Sequence, residues 1–299
     1  MSSPQIVLSF IGILIGPYFG DNSVEILELP SLELSSCKIP KFPVFGTEGY
    51  IMGNVESGVL ACGGKEQGLL LYTACFLFSN GRWLSSLLDE TPSMNDKRHS
   101  AVSAYLGDAF WVTGGKDDFD IPLISTEIRN PDGSWSRFVD LPKKMSDYCM
   151  VTVNSTHVFL AGGVNGETIY NTTYLYSMQS GWKVMEDMID GRYAHTCSLL
   201  GDDEDTIVLV GGSKDNVALS STVLFSISTG KWTAGPAFPT SLRKPQMVSV
   251  NGQTYLVSGL DIYHLDQENG DTLKWMKAGK IENKIPGFRI TPIKNPDGC

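Results

Sequence analysis

Short apolar runs recur along this chain, and most of them end in a pair of glycines. Each run is rich in Val, Leu, Phe or Ala and is followed by turn-forming residues, as expected of a strand that ends in a tight turn. No stretch has the periodicity of an amphipathic helix. The pattern therefore predicts an all-β protein. The glycine-ended segments are ACGG (61–64), VTGG (112–115), LAGG (160–163), LVGG (209–212) and the weaker LVSG (256–259).

These segments are evenly spaced. The first glycines of the four pairs, at positions 63, 114, 162 and 211, lie 51, 48 and 49 residues apart. Tryptophans at 83, 135, 182, 232 and 275 follow in step, at intervals of 52, 47, 50 and 43 residues. Five units in phase predict repeated four-stranded sheets. Glycine permits the sharp turn after the second strand, and tryptophan supplies a large apolar wedge between neighbouring sheets.

A repeat of about fifty residues with a double glycine and a later tryptophan resembles the kelch repeat, whose units are blades of a β-propeller. The resemblance covers the chain after residue 20, although Ser258 interrupts the fifth glycine pair. Kelch propellers most often have six blades, so the resemblance implies an all-β, six-bladed kelch-type β-propeller. Residues 24–43 look like strands three and four of the sixth blade, and 287–298 like its first strand. That blade is expected to be shared between the termini, with a short or missing second strand.

The N-terminal twenty residues contain an uncharged apolar run from Ile6 to Ile15. Its length suits the core of a signal peptide and is too short to span a bilayer easily. We interpret residues 1–20 as a signal peptide and 21–299 as the propeller, with the mature chain starting near Asp21. The alternative interpretation is a buried first strand. The first interpretation predicts a secreted protein.

Six cysteines form an even set, which suits an oxidising compartment. The repeat phase favours a pair between Cys62 and Cys75, which flank one hairpin loop. A bond between the cysteines at 37 and 299 is predicted to close the ring. The two at 149 and 197 lie on innermost strands of neighbouring blades, where they either pair or remain buried thiols. The six are Cys37, Cys62, Cys75, Cys149, Cys197 and Cys299.

Two triplets match the acceptor pattern for an N-linked glycan. Asn154 lies on a predicted turn between strands one and two, and Asn171 at the start of a third strand. Both positions are expected to reach solvent, so both are predicted glycosylation sites in a secreted protein.

Charge and motifs exclude several functions. The net charge of −10, without a Lys/Arg cluster, argues against nucleic acid or an anionic membrane as partner. The four histidines do not cluster at metal-ligand spacing, and no catalytic motif is present, so no metal, cofactor or enzymatic activity is expected. His99 and His195 are assigned the same repeat phase, which favours a structural role.

The sequence therefore favours a monomeric binding module for an unknown protein or glycan. Loops held by a rigid scaffold are the usual place for recognition, and Arg and Tyr are enriched at binding hot spots. The predicted loops are 116–122, 164–170 and 213–219. The alternative is a propeller enzyme acting on sugars or alcohols, because the resemblance includes copper radical oxidases and sialic acid epimerases. The predicted binding side chains are Arg98, Tyr148, Arg192, Tyr193 and Arg243.

Overall fold

A computed structural model describes residues 10–15, 24–29, 31–34, 39–44, 48–65, 73–202, 204–268, 272–281 and 289–294. Three described strands precede blade I: β1 (Phe10–Ile15), β2 (Val24–Glu28) and β3 (Glu33–Leu34). After them, the chain forms one four-stranded antiparallel sheet after another.

The first two of these sheets each use four consecutive strands. Blade I contains β4 (Ile51–Val55), β5 (Gly58–Cys62), β6 (Cys75–Ser79) and β7 (Arg82–Ser85), followed by a single 3₁₀ turn, Ser86–Leu88. Blade II contains β8 (Val102–Leu106), β9 (Ala109–Thr113), β10 (Thr126–Arg129) and β11 (Trp135–Arg137).

The next two sheets each carry a small hairpin inserted after the second strand. Blade III contains β12 (Cys149–Asn154), β13 (His157–Ala161), β16 (Thr173–Ser177) and β17 (Gly181–Val184), with the hairpin β14 (Val164–Asn165) and β15 (Thr168–Ile169). Blade IV contains β18 (Thr196–Leu199), β19 (Thr206–Val210), β22 (Thr222–Ser226) and β23 (Lys231–Ala234), with the hairpin β20 (Ser213–Lys214) and β21 (Val217–Ala218).

Blade V contains β24 (Gln246–Val250), β25 (Gln253–Ser258), β26 (Asp261–Glu268) and β27 (Thr272–Lys280). The last strand, β28 (Arg289–Lys294), joins the three N-terminal strands in a sheet of order β28-β1-β2-β3, which we call the composite sheet. β1 pairs with β28 over six positions and with β2 over five.

The innermost strands of the sheets form a ring. β4, β8, β12, β18 and β24 contact one another in that order, and β28 contacts both β24 and β4. This is the architecture of a β-propeller, so the all-β prediction is confirmed. Five blades are built from continuous sequence, fewer than the six predicted; the composite sheet is assembled from both ends of the described chain.

The structure assigns the apolar run of the N-terminus differently from the signal-peptide interpretation. β1 lies within residues 1–20 and occupies the second-strand position of the composite sheet, which was expected to be short or missing. This arrangement corresponds to the alternative interpretation, a strand. The start of the mature chain stays a prediction. Among the residues that the structure describes, no helix is long and apolar enough to cross a membrane.

The glycine pairs perform the predicted role. In blade II, Gly114 and Gly115 have φ angles of 55° and 83°, a region that favours glycine. A Cβ on Gly115 would lie 2.5 Å from the carbonyl oxygen of His99. The pair thus lets the chain leave β9 while passing close to the segment that enters β8.

The tryptophans act as wedges and also as hydrogen-bond donors. The indole Nε1 atoms of Trp83, Trp182 and Trp232 donate to the carbonyl oxygens of Pro40, Asp140 and Glu186 at 3.0, 3.0 and 2.8 Å. Each carbonyl lies on the loop that enters the tryptophan's own blade. The ring of Trp232 also contacts Phe159 of blade III and Phe225 of blade IV, with centroids 6.1 and 4.9 Å apart. These contacts hold neighbouring blades together.

Candidate functional site

Three of the five predicted binding side chains are buried, which leaves them little surface for a partner; of these three, Tyr148 lines the cavity described below. Arg98 is 0% exposed, Arg192 2% and Tyr148 3%. Their placement corrects the prediction for these residues. Arg and Tyr were chosen because they are common hot spots, but here the same donors hold the loops of the propeller.

Arg98 is the centre of a buried polar cluster. Its guanidinium donates to the carbonyl oxygens of Gly114 and Ser125 at 2.9 and 3.0 Å. It also contacts the carboxylate of Glu127 at 3.0 Å, and both side chains are fully buried. Glu127 accepts further bonds from the backbone N–H groups of Asn95 and Asp96 at 2.7 and 2.8 Å. The arginine therefore ties the glycine turn to the third strand of blade II.

Arg192 repeats this arrangement in blade IV, where it donates to the carbonyl of Gly211 at 3.3 Å and the hydroxyl of Ser221 at 3.1 Å. Tyr148 donates to the carbonyl of Thr113 at 2.8 Å and so links blade III to blade II. Burial raises the pKa of the Tyr148 hydroxyl, so it stays protonated.

The other two predicted side chains reach the surface. The Tyr193 hydroxyl donates to Oδ1 of Asn216 at 3.0 Å, and Arg243 donates to the carbonyl of the same residue at 2.6 Å. Both contacts fix the predicted loop 213–219 against the loops entering blades IV and V. Arg243 is exposed and Tyr193 half-buried, so a binding role for them stays a prediction.

A cavity of about 720 Å³ opens where the innermost strands begin. Its wall comes from every blade and from the composite sheet, which contributes Arg289 and Ile290. Concave sites of this size are typical of ligand binding. The charged or hydroxyl-bearing wall residues most relevant here are Glu48, Ser100, Asp147, Arg243, Lys244 and Arg289.

One backbone position recurs at the rim of this cavity, just before each innermost strand. Its φ angle is positive in all five blades, between 52° and 69°. Three backbone hydrogen bonds of 2.6 to 2.9 Å each connect this position in one blade to the same position in the neighbouring blade. The fold requires this backbone conformation, but the side chain at the position differs from blade to blade. The residue type can therefore be selected for function. The five residues are Gly49, Ser100, Asp147, Ala194 and Lys244.

Cations gather at the cavity although the chain is acidic. Arg289 donates from Nε to the carbonyl of Tyr50 at 2.9 Å, and its guanidinium lies 5.8 Å from that ring's centroid. Lys116 lies 3.5 Å from the carboxylate of Asp147. Arg243, Lys244 and Arg289 outnumber the two carboxylates of the wall, Glu48 and Asp147, so the cavity favours a ligand that carries negative charge.

The histidines do not form a shared site. The bridges His99↔Lys116 and Tyr193↔Ser213 make His99 equivalent to Tyr193, so the assignment of His99 and His195 to one phase was wrong. His195 is buried, and its Nε2 donates to the carbonyl of Ala161 at 3.1 Å. Burial and the nearby Arg192 lower the pKa of His195 to about 3, so it is neutral at pH 7. Within the described ranges, no group of three metal-ligating side chains is found.

Two disulfides are present in the described part of the chain. The favoured pair, Cys62–Cys75, is confirmed, with Cα atoms 4.1 Å apart. Cys149 and Cys197, whose state the sequence left open, are also bonded, with Cα atoms 5.8 Å apart. The second bond joins the innermost strands of blades III and IV at the cavity wall. The predicted bond between residues 37 and 299 lies outside the described residues.

Removing the bond between blades III and IV is expected to cost more stability than removing the bond within blade I. The chain-entropy model assigns about 4 kcal/mol to the Cys149–Cys197 bond and about 3 kcal/mol to the Cys62–Cys75 bond, because their residues are 48 and 13 apart. Urea unfolding of C149A/C197A and C62A/C75A, each compared with the parent chain, measures the two losses. Unchanged stability in C149A/C197A would contradict the expectation.

The two predicted glycosylation positions differ in their surroundings. Asn154 is half-buried beside the exposed residues 155 and 156, and its Oδ1 accepts from the backbone N–H of Thr156 at 3.0 Å. Asn171 is half-buried and uses its Nδ2, the atom that a glycan would occupy, to donate to the carbonyl of Met188 at 3.3 Å. The surroundings favour Asn154; glycosylation of either residue stays a prediction.

Comparisons with known proteins support the architecture. No protein-family model matches the chain. Among solved structures, YjhT superposes with a TM-score of 0.74, covering 91% of this chain and 99% of its own, at 11% identity. The chain is a β-propeller. The propeller is also 30% identical to the spermatocyte protein spe-26 of Caenorhabditis elegans over 115 residues. These 115 residues make up 38% of this chain and 20% of the length of that relative.

Proposed function

We propose that this propeller is a secreted, monomeric, kelch-type interaction module, which binds a protein or glycan at the cavity and its surrounding loops. We also infer that the composite sheet serves as a sixth blade that closes the ring. Support for the sixth blade comes from β28, which contacts both neighbouring innermost strands and whose Arg289 bonds to Tyr50 at the entry to blade I.

The main observation behind the binding role is a rigid, exposed loop beside a cationic cavity. Phe119 is 79% exposed in the loop 116–122. Oδ1 of Asp117 accepts from the backbone N–H groups of Phe119 and Ile121, both at 2.9 Å, so the loop is held in one shape. A preorganised loop backbone loses little conformational entropy when it binds. Together with Arg243, Phe119 forms the expected contact surface.

The disulfides support an extracellular location, because such bonds persist in oxidising compartments. Secretion through the predicted leader requires that residues 1–20 are removed, whereas β1 can be part of the mature fold only if they are kept. N-terminal sequencing of the protein from culture medium separates them. A start near Asp21 supports the leader, whereas a start before Phe10 supports the strand.

Capture from extracellular fluid tests the binding role. The parent propeller is compared with a variant carrying Phe119→Ser and Arg243→Ser, and with Met178→Ser as the matched control. Met178 is 60% exposed and lies on the turn between strands three and four, at the opposite end of a blade.

We expect one defined protein or glycan to be retained by the parent and by the Met178 variant, and at least tenfold less by the double variant. Equal retention by all three would reject this surface as the binding site. Tightly bound copper, or turnover of a sugar or alcohol, would favour an enzyme instead.

A further inference from the structure

Three polar side chains lie in a row at the cavity rim of blade II, and each contacts the next. The hydroxyl of Ser100 lies 3.2 Å from Nδ1 of His99. On the other side of the imidazole ring, Nε2 lies 2.9 Å from Oδ1 of Asp120, an ion-pair distance at an angle that falls short of a hydrogen bond. A hydroxyl, an imidazole and a carboxylate in this order are the parts of an activated serine nucleophile.

The folding of the blade explains how Asp120 reaches His99. The backbone N–H and C=O groups of His99 and Lys116 exchange two hydrogen bonds of 2.9 and 2.8 Å, which fixes the start of the loop 116–122. Within the loop, the N–H of Asp120 donates to the carbonyl of Asp117 at 3.1 Å. The rigid loop described above therefore also holds the carboxylate in place beside the imidazole.

The surrounding charges give His99 and Asp120 the protonation states that an activated serine requires. Burial, Lys65 and Lys116 all lower the pKa of His99, against an opposing effect of Asp120, so the imidazole is neutral at pH 7. Partial burial tends to raise the pKa of Asp120, but the positive charge of Lys65, 3.5 Å away, lowers it, and the net pKa lies below its ordinary value, so the carboxylate is ionised. A carboxylate at Nε2 favours the tautomer with its proton there, which leaves Nδ1 as the acceptor for the serine proton.

Ser100 is accessible from the cavity. It is half-buried and lies on the cavity wall, whereas His99 is 3% exposed. The equivalent positions in the other blades hold Gly49, Asp147, Ala194 and Lys244, so the fold itself does not require a serine here. In the described chain, the combination of His, Ser and a loop Asp at this position occurs in blade II alone.

We propose that Ser100, His99 and Asp120 form a hydrolytic site for small esters that carry a negative charge. The charge preference follows from Arg243, Lys244 and Arg289 on the cavity wall. This activity goes beyond the proposed binding function and does not depend on it.

The reaction uses water as its only co-reactant. The oxygen of Ser100 attacks the ester carbonyl carbon while its proton passes to Nδ1 of His99. The bond to the alcohol oxygen breaks, and the alcohol takes that proton. Water then attacks the acyl-serine, again giving its proton through His99 to the departing Ser100 oxygen, and the carboxylic acid is released.

A serine-directed fluorophosphonate and mono(4-nitrophenyl) succinate are the probes. On the full chain, we expect one fluorophosphonate adduct, located on Ser100 by peptide mapping, and hydrolysis of the succinate ester. Ser100→Gly should abolish the adduct and lower kcat/KM at least 100-fold, and glycine suits this backbone because Gly49 holds the equivalent position at a φ of 69°. The matched control is Ser103→Ala, also on the cavity wall, with its hydroxyl 3.3 Å from the carbonyl of Met52.

The variant Asp120→Asn tests the positioning role of the carboxylate. It should lower kcat and move the acidic limb of the pH–rate profile to lower pH, because the negative charge of Asp120 raises the pKa of His99. A purely structural role would leave the shape of that profile unchanged.

The proposal is overturned if Ser100 gains no adduct or if folded Ser100→Gly hydrolyses the ester at the parent rate. Partner capture by Ser100→Gly is measured in parallel. If the parent chain captures its partner but does not hydrolyse the ester, the hydrolytic site alone is rejected. If the parent chain hydrolyses the ester but captures no partner, the binding function alone is rejected.

Discussion

Replacing Arg98 by methionine should lower the free energy of unfolding by about 3–5 kcal/mol, the usual cost of removing one partner of a buried ion pair. Methionine fills much of the volume but leaves the carboxylate of Glu127 buried without its cation, and both side chains are 0% exposed in the parent. The carbonyls of Gly114 and Ser125 also lose their donor. Urea unfolding monitored by tryptophan fluorescence measures the change.

Arg137→Met is the matched control, because Arg137 pairs with Asp96 at 2.8 Å but its side chain is 65% exposed. We expect a loss within about 0.5 kcal/mol there, as for other exposed ion pairs. Adding Glu127→Gln to Arg98→Met should restore part of the stability, since the uncompensated charge disappears. If Arg98→Met lowers the free energy of unfolding by less than about 1 kcal/mol, the expectation is wrong, because the cluster then tolerates an unpaired buried carboxylate.

Deleting residues 1–20 is expected to have the other large effect. The deletion removes β1, which pairs with β28 over six positions and with β2 over five. At a net of about 1 kcal/mol per hydrogen bond, the lost ladder bonds amount to several kcal/mol. β28 would then be held chiefly by its neighbours in the ring, and Arg289 on the cavity wall would lose its support.

Deleting residues 1–9 leaves β1 intact and is the control. We expect the shorter deletion to keep the parent's melting temperature, and the longer one to melt at lower temperature and to be cleaved faster by trypsin near the C-terminus. Equal stability of the two variants would instead favour the signal-peptide interpretation, with a propeller that is complete from Asp21.

The alternative interpretation of the N-terminal run as a strand had a further signal in the sequence. The run ILIG, residues 13–16, ends in a glycine that lies 47 residues before Gly63, close to the repeat interval. Proline follows that glycine in place of the second one, so the segment does not match the motif. A short apolar run at an N-terminus satisfies the hydrophobicity rules for both a leader and a buried strand, and only its pairing partners distinguish them.

The binding side chains were harder to place from sequence. Arg98 and Arg192 lie two residues before the recurrent rim position at Ser100 and Ala194, whereas the exposed Arg243 lies one residue before it at Lys244. Their directions differ because Arg98 and Arg192 find carbonyl groups of the glycine turn in their own blade, whereas Arg243 bonds to the neighbouring loop at Asn216. Repeat phase also misplaced His195 by two positions relative to His99, and the bridge pattern corrected it.

The sequence by itself determined the all-β class, the repeated blades and the Cys62–Cys75 bond, because these depend on periodic hydrophobicity, turn-forming glycines and contacts close along the chain. The tertiary structure alone decided three further features: the N-terminal strand beside β28, the bond between Cys149 and Cys197, and the approach of Asp120 to His99. Each of these depends on how the ring closes or how a loop folds back on its blade. Such contacts are selected by packing and hydrogen bonding between segments, which leave no period in the sequence.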